Sequence, residues 1–448
     1  MGAFHAYDIR GIYGVDLDKE LAYKVAYFVP QLLGADKVVV GMDTRLSSPE
    51  MHEAVLQGIT DAGADVYDLG LSSTPLVYYA TACHGFKASI QITASHNPKD
   101  YNGMKVSREN ALPVGLDTGL GTIKQWIDEG RPMPKASQPG AVHPFDIRSE
   151  YIDFLLKFKS DLSSLKIGMD LSNGMASLFV RDIFGDQPLY LFEGLDGSFP
   201  GHDPNPLLPE NIVSLQKLVI ENKCDIGVIY DGDADRVMFV DETGSFVAPD
   251  LVIALLGHYF VDKRGEKGIV LQDIRSSKAV GEHLSKMGCR ISTWKVGRAF
   301  AAPRLRELGG VWGGELAGHY YFRDFFYSDS GILASLLVLG VVADLKKQGI
   351  GLSDFIGGIA RYKNSGEVNF RIEKKQEAMD AVREHFTSLE EPTAFFDFDG
   401  YRVEFKDWWF NIRPSNTEPY LRFICEATSD SLLEEKVAAA RSVIEKYK

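Results

Sequence analysis

Three short apolar runs in this chain each end in an aspartate, and that recurrence limits the architecture more than any other feature. V-V-V-G-M-D ends at Asp43, L-K-I-G-M-D at Asp170 and G-I-V-L-Q-D at Asp273. Tens of residues after each comes a second turn loaded with reactive side chains, at Ser95, Asp231 and Glu315 respectively. Strand-like and helical runs alternate between them. Lys37 to Gly41 reads as a strand, and a helix follows with Ser48 as its expected N-cap and Pro49 in its first turn. Met51, Val55 and Ile59 then recur at helical spacing, so this helix lies on something apolar. Such alternation favours parallel or mixed sheets covered by helices. The recurring Asp is also a favoured turn residue, but three related α/β units in tandem account for the whole pattern.

Arg131 to Phe145 carries Pro132, Pro134, Pro139 and Pro144, which suits a linker after the first unit. Further breaks are expected near Asp241 to Pro249 and near Gly349 to Ser365. Beyond these the pattern changes. Glu367 to Glu373, Ala394 to Phe405 and Leu421 to Ala427 look like strands, and the chain ends in a helix with an expected capping box, Ser431 with Glu434. The expected units are 1–145, 146–246 and 247–362, all α/β, and a smaller α+β unit at 363–448.

Composition narrows the function. The chain has 448 residues and a formal net charge of −14, so no global basic field exists to hold nucleic acid or an anionic membrane. The longest apolar run, Gly331 to Ala343, falls short of the roughly 20 residues of a membrane span. Charged residues near the N-terminus (Asp8, Arg10, Asp16, Asp18) leave no signal-peptide core, so a cytoplasmic chain is expected. The four cysteines, Cys83, Cys224, Cys289 and Cys425, lie far apart, which predicts reduced, packed thiols rather than a zinc or redox pair.

D-G-D-A-D-R is the sharpest chemical signal. It follows the apolar strand Ile226 to Tyr230 and carries Asp231, Asp233, Asp235 and Arg236. In extended chain alternate side chains share a face, so the three carboxylates are expected to converge. A hard divalent cation, Mg²⁺ or Ca²⁺, would relieve their repulsion. An EF-hand is excluded because its sixth position, which must be Gly, is Arg236, and because the flanks read as strand.

A second turn, T-A-S-H-N-P, holds Ser95 and His96 after the strand Ser89 to Ile92. No G-x-S-x-G elbow surrounds the serine, which disfavours a hydrolase and leaves a serine that carries a phosphoryl group. R-P-S-N-T-E-P offers the fork of Arg413 with donors from Ser415, Asn416 and Thr417 to a phosphate. In G-E-L-A-G-H, Glu315 could accept sugar hydroxyls and His319 could move a proton.

The order of these turns resembles the α-D-phosphohexomutase family, most closely its bacterial phosphomannomutase/phosphoglucomutase branch, from A-Y-D-I-R-G at Ala6 to Gly11 through the Arg413 loop. N-G-M-K and D-G-S-F-P-G-H-D-P-N-P, from Asp196, also look like this branch. The resemblance implies four domains in a heart shape around one deep cleft. It makes Ser95 the phosphorylated residue, gives Asp231, Asp233 and Asp235 as Mg²⁺ ligands beside a phosphoserine oxygen, and places Arg10 and Lys105 at the transferring phosphate. It likewise implies substrate contacts from Tyr7, Arg236, Lys295, Arg298, Glu315 and position 317, with the Arg413 loop as phosphate clamp. Two positions depart from the family pattern. Ala317 stands where Ser is usual, and Arg298 stands where His is frequent, both bearing on sugar choice.

The expected reaction is reversible phosphoryl transfer between O1 and O6 of a mannose or glucose phosphate. It runs through phospho-Ser95 and a hexose 1,6-bisphosphate that also acts as activator, with His319, or in competition His96, as proton acceptor. A phosphoglucosamine mutase is the nearest alternative. A Mg²⁺-dependent sugar phosphatase with an Asp nucleophile and a non-catalytic sugar-phosphate binder stand further off, since they leave Ser95 or the metal triad without a task. No nucleic-acid or membrane partner is expected, and the chain is expected as a monomer or homodimer.

Overall fold

A computed structural model describes residues 2–415 and 420–447. Its first three sheets share one core arrangement. Lys37–Met42 runs parallel to Ala88–Ile92, which pairs antiparallel with Tyr101–Arg108. Ile167–Asp170 stands in the same relation to Ile226–Tyr230 and Val237–Asp241, and Ile269–Asp273 to Trp312–Gly314 and Tyr320–Phe322. The three sheets have seven, five and five strands. In each, the turn between the second and third of these strands is the reactive one read from the sequence, at Ser95, Asp231 and Glu315. The tandem repeat is therefore structural, and the candidate site residues fall at one equivalent place in it.

The fourth sheet has six strands. Its central strands are Tyr401–Glu404, Trp408–Pro414 and Tyr420–Ala427, all antiparallel, and the helices Lys375–Thr387 and Asp430–Ile444 accompany them. This is the α+β unit of different build. One apolar core extends across the first three units, joining Val39 and Tyr78 to Tyr230, Val252 and Leu336, beside a separate core of the first unit around Val38, Val55 and Ile90, whereas the fourth packs its own core around Phe386, Trp408 and Phe410. Polar contacts tie the fourth unit to the third. Arg402 donates to the carbonyls of Ile274 and Ser276, and the Ser277 hydroxyl donates to Glu426 at 2.7 Å.

Several local expectations are corrected. Ser48 is the first residue of the helix Ser48–Asp61 rather than its N-cap, because its hydroxyl donates to Asp43 Oδ1 at 2.6 Å instead of capping. The last helix is capped by Ser429, whose side chain accepts from the Leu432 amide, so Ser431 and Glu434 already lie inside it. The strand expected over Ala394 to Phe405 is two strands, Ala394–Phe396 and Tyr401–Glu404, separated by a turn in which Gly400 has φ +66°. The proline-rich linker ends in Val142–Pro144, which adds to the edge of the first sheet beside Asp65–Leu71. Three of the cysteines are packed as expected, but Cys83 is exposed at the end of the helix Thr74–Cys83. The apolar run at Gly331 forms the buried helix Gly331–Lys347, and among the described residues no helix is long and apolar enough to cross a membrane.

Candidate active site

Ser95 sits 1% exposed in a tight turn after Ala88–Ile92, with φ 52°. A non-glycine residue adopts this left-handed conformation only when its surroundings fix it. Here the Ser95 amide donates to Thr93 Oγ1 at 2.8 Å, and Arg45, itself fully buried, grips the loop from behind. Arg45 donates to the carbonyls of Ser95, Asn97, Pro98 and Tyr101 and pairs with Asp43. The Ser95 hydroxyl is thereby aimed across the domain boundary, where it donates to Asp231 Oδ2 at 2.9 Å.

Asp231, Asp233 and Asp235 do converge, but not through extended chain. The strand ends at Tyr230, and the triad rides a compact turn in which Ala234 has φ 63°. One carboxylate oxygen from each lies within 4.8 Å of the others. Thr74 fastens the turn from the first unit, donating its amide to the Asp233 carbonyl and its hydroxyl to the Asp233 carboxylate. Gly232 is required there, since a Cβ would stand 2.6 Å from the Ser95 carbonyl.

The charge state of this turn speaks for a cation. Burial first, and then the charges of Asp233 and Asp235, push Asp231 well above the carboxylate range. Burial also opposes ionisation of Asp235, but Lys105 and His319 outweigh it and hold that group below its usual value. Among the described residues Asp233 Oδ1 and Asp235 Oδ1 are buried with no hydrogen-bond partner. All donors are oxygen, which fits Mg²⁺. Lys105 meets Asp233 and Asp235 at 2.6 Å each, and although burial works against its charge, these two carboxylates keep it above the ordinary lysine value. Arg10 lies beside Asp8 and donates to Asn97 Oδ1 at 2.7 Å. Arg236 Nε approaches Asp231 at 3.8 Å and is buried with no hydrogen-bond partner among the described residues.

The third turn closes on the second. Arg236 and His319 form an antiparallel bridge, and the Val237 amide donates to the Gly318 carbonyl at 3.2 Å. His319 Nδ1 lies 2.6 Å from Asp329 Oδ2. Burial disfavours the charge on Asp329, but hydrogen bonding to His319 and the nearby Arg298 prevail and keep it ionised. An ionised carboxylate only accepts, so Nδ1 carries a proton, and Nε2 is the lone-pair nitrogen of the neutral ring. His96 behaves differently. Burial, followed by the charges of Arg236, Arg10 and Lys105, drives its pKa well below the histidine range. Glu315, raised chiefly by burial, accepts from the Gly297 amide at 3.1 Å and from the Tyr321 hydroxyl. Ala317 is half-buried beside it.

Not every expected contact residue is left open toward a substrate. Arg298 binds Asp329 at 2.9 Å, stacks on Tyr78 at 3.7 Å and donates to the Ala111 carbonyl, so its guanidinium joins the third unit to the first. Tyr7 donates to the Val296 carbonyl and packs on Phe300, over which Lys295 also lies. Arg413, at the end of Trp408–Pro414, is buried, its pKa lowered by burial and then by Arg275. Among the described residues its Nε has no hydrogen-bond partner. The Ser415 amide donates to the Tyr420 carbonyl at 2.8 Å. Asn416 and Thr417 lie outside the described residues.

Sequence reasoning passed over the residues that hold these loops. Asp43 and Arg45 have a counterpart in Asp273 and Arg275, paired at 2.7 Å, and Asp273 also accepts from the Leu316 amide of the third turn at 2.7 Å. The shared D-x-R after the first strand of both units was the available signal.

Four family profiles match in order along the chain. Domains I, II and III of phosphoglucomutase/phosphomannomutase, each described as alpha/beta/alpha, match 1–131, 149–244 and 248–362, and the C-terminal domain matches 367–442. The phosphomannomutase of Salmonella typhimurium is 37% identical over 96% of both chains. That of Methanocaldococcus jannaschii is 32% identical over 99% of this chain and 97% of its own. The crystal structure of a phosphoglucomutase/phosphomannomutase family protein from Burkholderia thailandensis superposes with a TM-score of 0.88 at 28% identity, covering 99% of this chain and 97% of that one. With all four profiles matched in order and relatives above 30% identity over nearly the whole chain, the chain belongs to the phosphoglucomutase/phosphomannomutase family of phosphohexomutases.

Proposed function

We propose that this phosphohexomutase moves a phosphoryl group reversibly between O1 and O6 of mannose phosphate, and of glucose phosphate as a second substrate. The 2.9 Å contact between the Ser95 hydroxyl and Asp231 carries the reading, because it sets a nucleophile against an all-carboxylate cation site. The curated relatives named phosphomannomutase support mannose.

In the forward half-reaction the bond from phosphorus to Ser95 Oγ breaks as a bond to the sugar hydroxyl forms, and the hydroxyl proton leaves to a base. The resulting hexose 1,6-bisphosphate turns over and returns its other phosphate to Ser95 Oγ. Added hexose 1,6-bisphosphate therefore serves as activator. Such transfers have a loose transition state with charge on the peripheral oxygens, so catalysis is positioning and charge neutralisation. Asp231, Asp233, Asp235 and a phosphoserine oxygen would hold Mg²⁺, which when bound supplies Lewis-acid neutralisation of that charge. Arg10, Lys105 and Arg236 contribute fixed positive charge. His319 takes the proton on Nε2, the nitrogen left free by the Nδ1 contact to Asp329, whereas burial and the surrounding cations disfavour a proton on His96. Glu315 keeps lone pairs for sugar hydroxyls, while Arg413, Ser415, Asn416 and Thr417 clamp the non-reacting phosphate in either orientation.

Phosphorus NMR tests this. With Mg²⁺ and catalytic glucose 1,6-bisphosphate, mannose 1-phosphate is expected to give way to a 6-phosphate resonance, and Ser95→Ala to abolish that exchange while leaving the circular dichroism spectrum unchanged. Exchange retained in Ser95→Ala would overturn the covalent route, and accumulation of inorganic phosphate would replace the mutase by a phosphatase.

A further inference from the structure

Away from the cleft, the end of the helix Thr74–Cys83 meets the first turn of the helix Arg148–Leu156. There the chain gathers three side chains of different ligand chemistry: the Cys83 thiol, the His84 imidazole and the Glu150 carboxylate. Cys83 and His84 are consecutive, and the helix stops at Cys83, so both side chains turn the same way toward Glu150. Their ligand atoms all lie within 4.8 Å of one another, and all three residues are exposed. The proposed mechanism uses none of them.

We propose that Cys83, His84 and Glu150 form a binding site for a zinc-class divalent cation, with its fourth position open to water. The distances carry this. Cys83 Sγ lies 3.8 Å from Glu150 Oε1, and His84 Nε2 lies 3.2 Å from the same oxygen. Ligands at ordinary zinc bond lengths around a tetrahedral centre stand about 3.6 Å apart for sulfur and oxygen, and about 3.4 Å for nitrogen and oxygen. Shifts of a few tenths of an ångström bring both ligands to these distances from Glu150 Oε1, and the Cys83 and His84 ligand atoms already lie within 4.8 Å of each other.

The surroundings orient two of the ligands. The Tyr79 hydroxyl donates to Glu150 Oε1 at 2.8 Å, an outer-shell hydrogen bond of the kind that fixes a ligating carboxylate. The His84 ring packs edge-on against Phe145, with centroids 5.2 Å apart. The C-terminus of Thr74–Cys83 presents partial negative charge to the site, and the N-terminus of Arg148–Leu156 offsets it, so the ligand set rather than the helix field carries the affinity. The mixed sulfur, nitrogen and oxygen set separates this site from the acidic turn. Thiolate and imidazole select zinc-class ions, and carboxylates alone select magnesium. Binding displaces the thiol proton to solvent, so affinity rises with pH. Because Cys83 and His84 belong to the first unit and Glu150 to the second, the ion would staple the two together.

Cobalt(II) is the probe that reads sulfur directly. Titrated into the chelator-stripped full chain with excess Mg²⁺ present to occupy the acidic turn, it is expected to produce a near-ultraviolet thiolate-to-cobalt charge-transfer band that saturates at one equivalent and is bleached by zinc. The acidic turn has no sulfur and cannot contribute. Cys83→Ser is expected to remove the band, and His84→Ala and Glu150→Gln each to weaken cobalt binding by at least about tenfold, with Tyr79→Phe costing about 10- to 100-fold. Unchanged mutase turnover with Mg²⁺ in the Cys83, His84 and Glu150 variants reports that they fold. Absence of the band, its survival in Cys83→Ser, or affinity indifferent to both His84→Ala and Glu150→Gln would overturn the site.

Discussion

Arg45 holds more of the serine turn than any residue inside that turn. Its five donors reach four carbonyls and one carboxylate, all on a buried side chain, and the strained conformation of Ser95 rests on them. Removing one partner of a buried ion pair costs about 3–5 kcal/mol, because the other charge stays behind without compensation. Arg45→Met is expected to lose about that much stability in denaturant titration. Turnover should fall about hundredfold as the nucleophile drifts from its aim. A variant of wild-type activity would show that the loop holds itself. Ser95, the Asp triad, Glu315 and His319 were legible because each group occupies one contiguous stretch in which residue type states the chemistry. Arg45 was not, since its partners are backbone carbonyls some fifty residues on, and a carbonyl leaves no trace in a sequence. Asp329 escaped for a related reason: its pairing with His319 depends on how two short strands register across a turn.

At the scale of elements, the apolar strands that end in Asp were readable because a buried parallel strand has to be apolar and its exit has to turn. Tyr401–Glu404 was merged with its neighbour because the aromatic run Phe395, Phe396, Phe398 continues through a turn that Gly400 makes possible. That turn has its own use, since Asp399 accepts from the Val296 amide and so ties the fourth unit to the third. The same junction holds a pair of buried carboxyl groups. Asp250 accepts from the Ser277 amide, and Glu426 accepts from the Ser277 hydroxyl. Burial first, then the charge of Glu426, push Asp250 up to about 7 from an ordinary value of 3.8. Between those values the folded chain keeps a proton that the unfolded chain has lost, so stability falls as pH rises across that interval and levels above it. Burial raises Glu426 as well, which adds to the same slope. Asp250→Asn is expected to flatten the fall when denaturation midpoints are compared from pH 4 to pH 7.5. Parallel curves for the two proteins would remove Asp250 from the account.

For the molecule as a whole, a net charge of −14 and an anionic substrate are compatible because the cations are local. Arg10, Lys105 and Arg236 lie around the acidic turn, and a few focused charges in a low-dielectric setting attract a phosphate even where the remaining surface repels it. Sugar choice is the separable part. Ala317→Ser restores a hydroxyl beside Glu315, and one neutral hydrogen bond is worth about 0.5–1.5 kcal/mol. The ratio of kcat/KM for mannose and glucose 1-phosphates is therefore expected to move by about two- to tenfold, with the rate of Ser95 phosphorylation by glucose 1,6-bisphosphate unchanged. A change in that phosphorylation rate would show the two functions to be entangled. Equivalent turns of three related sheets hold the proposed nucleophile, the proposed cation site and the proposed sugar contacts. A lineage that inherits this plan can drift in one turn while selection guards the other two, so new sugars become reachable by small edits without passing through a dead enzyme.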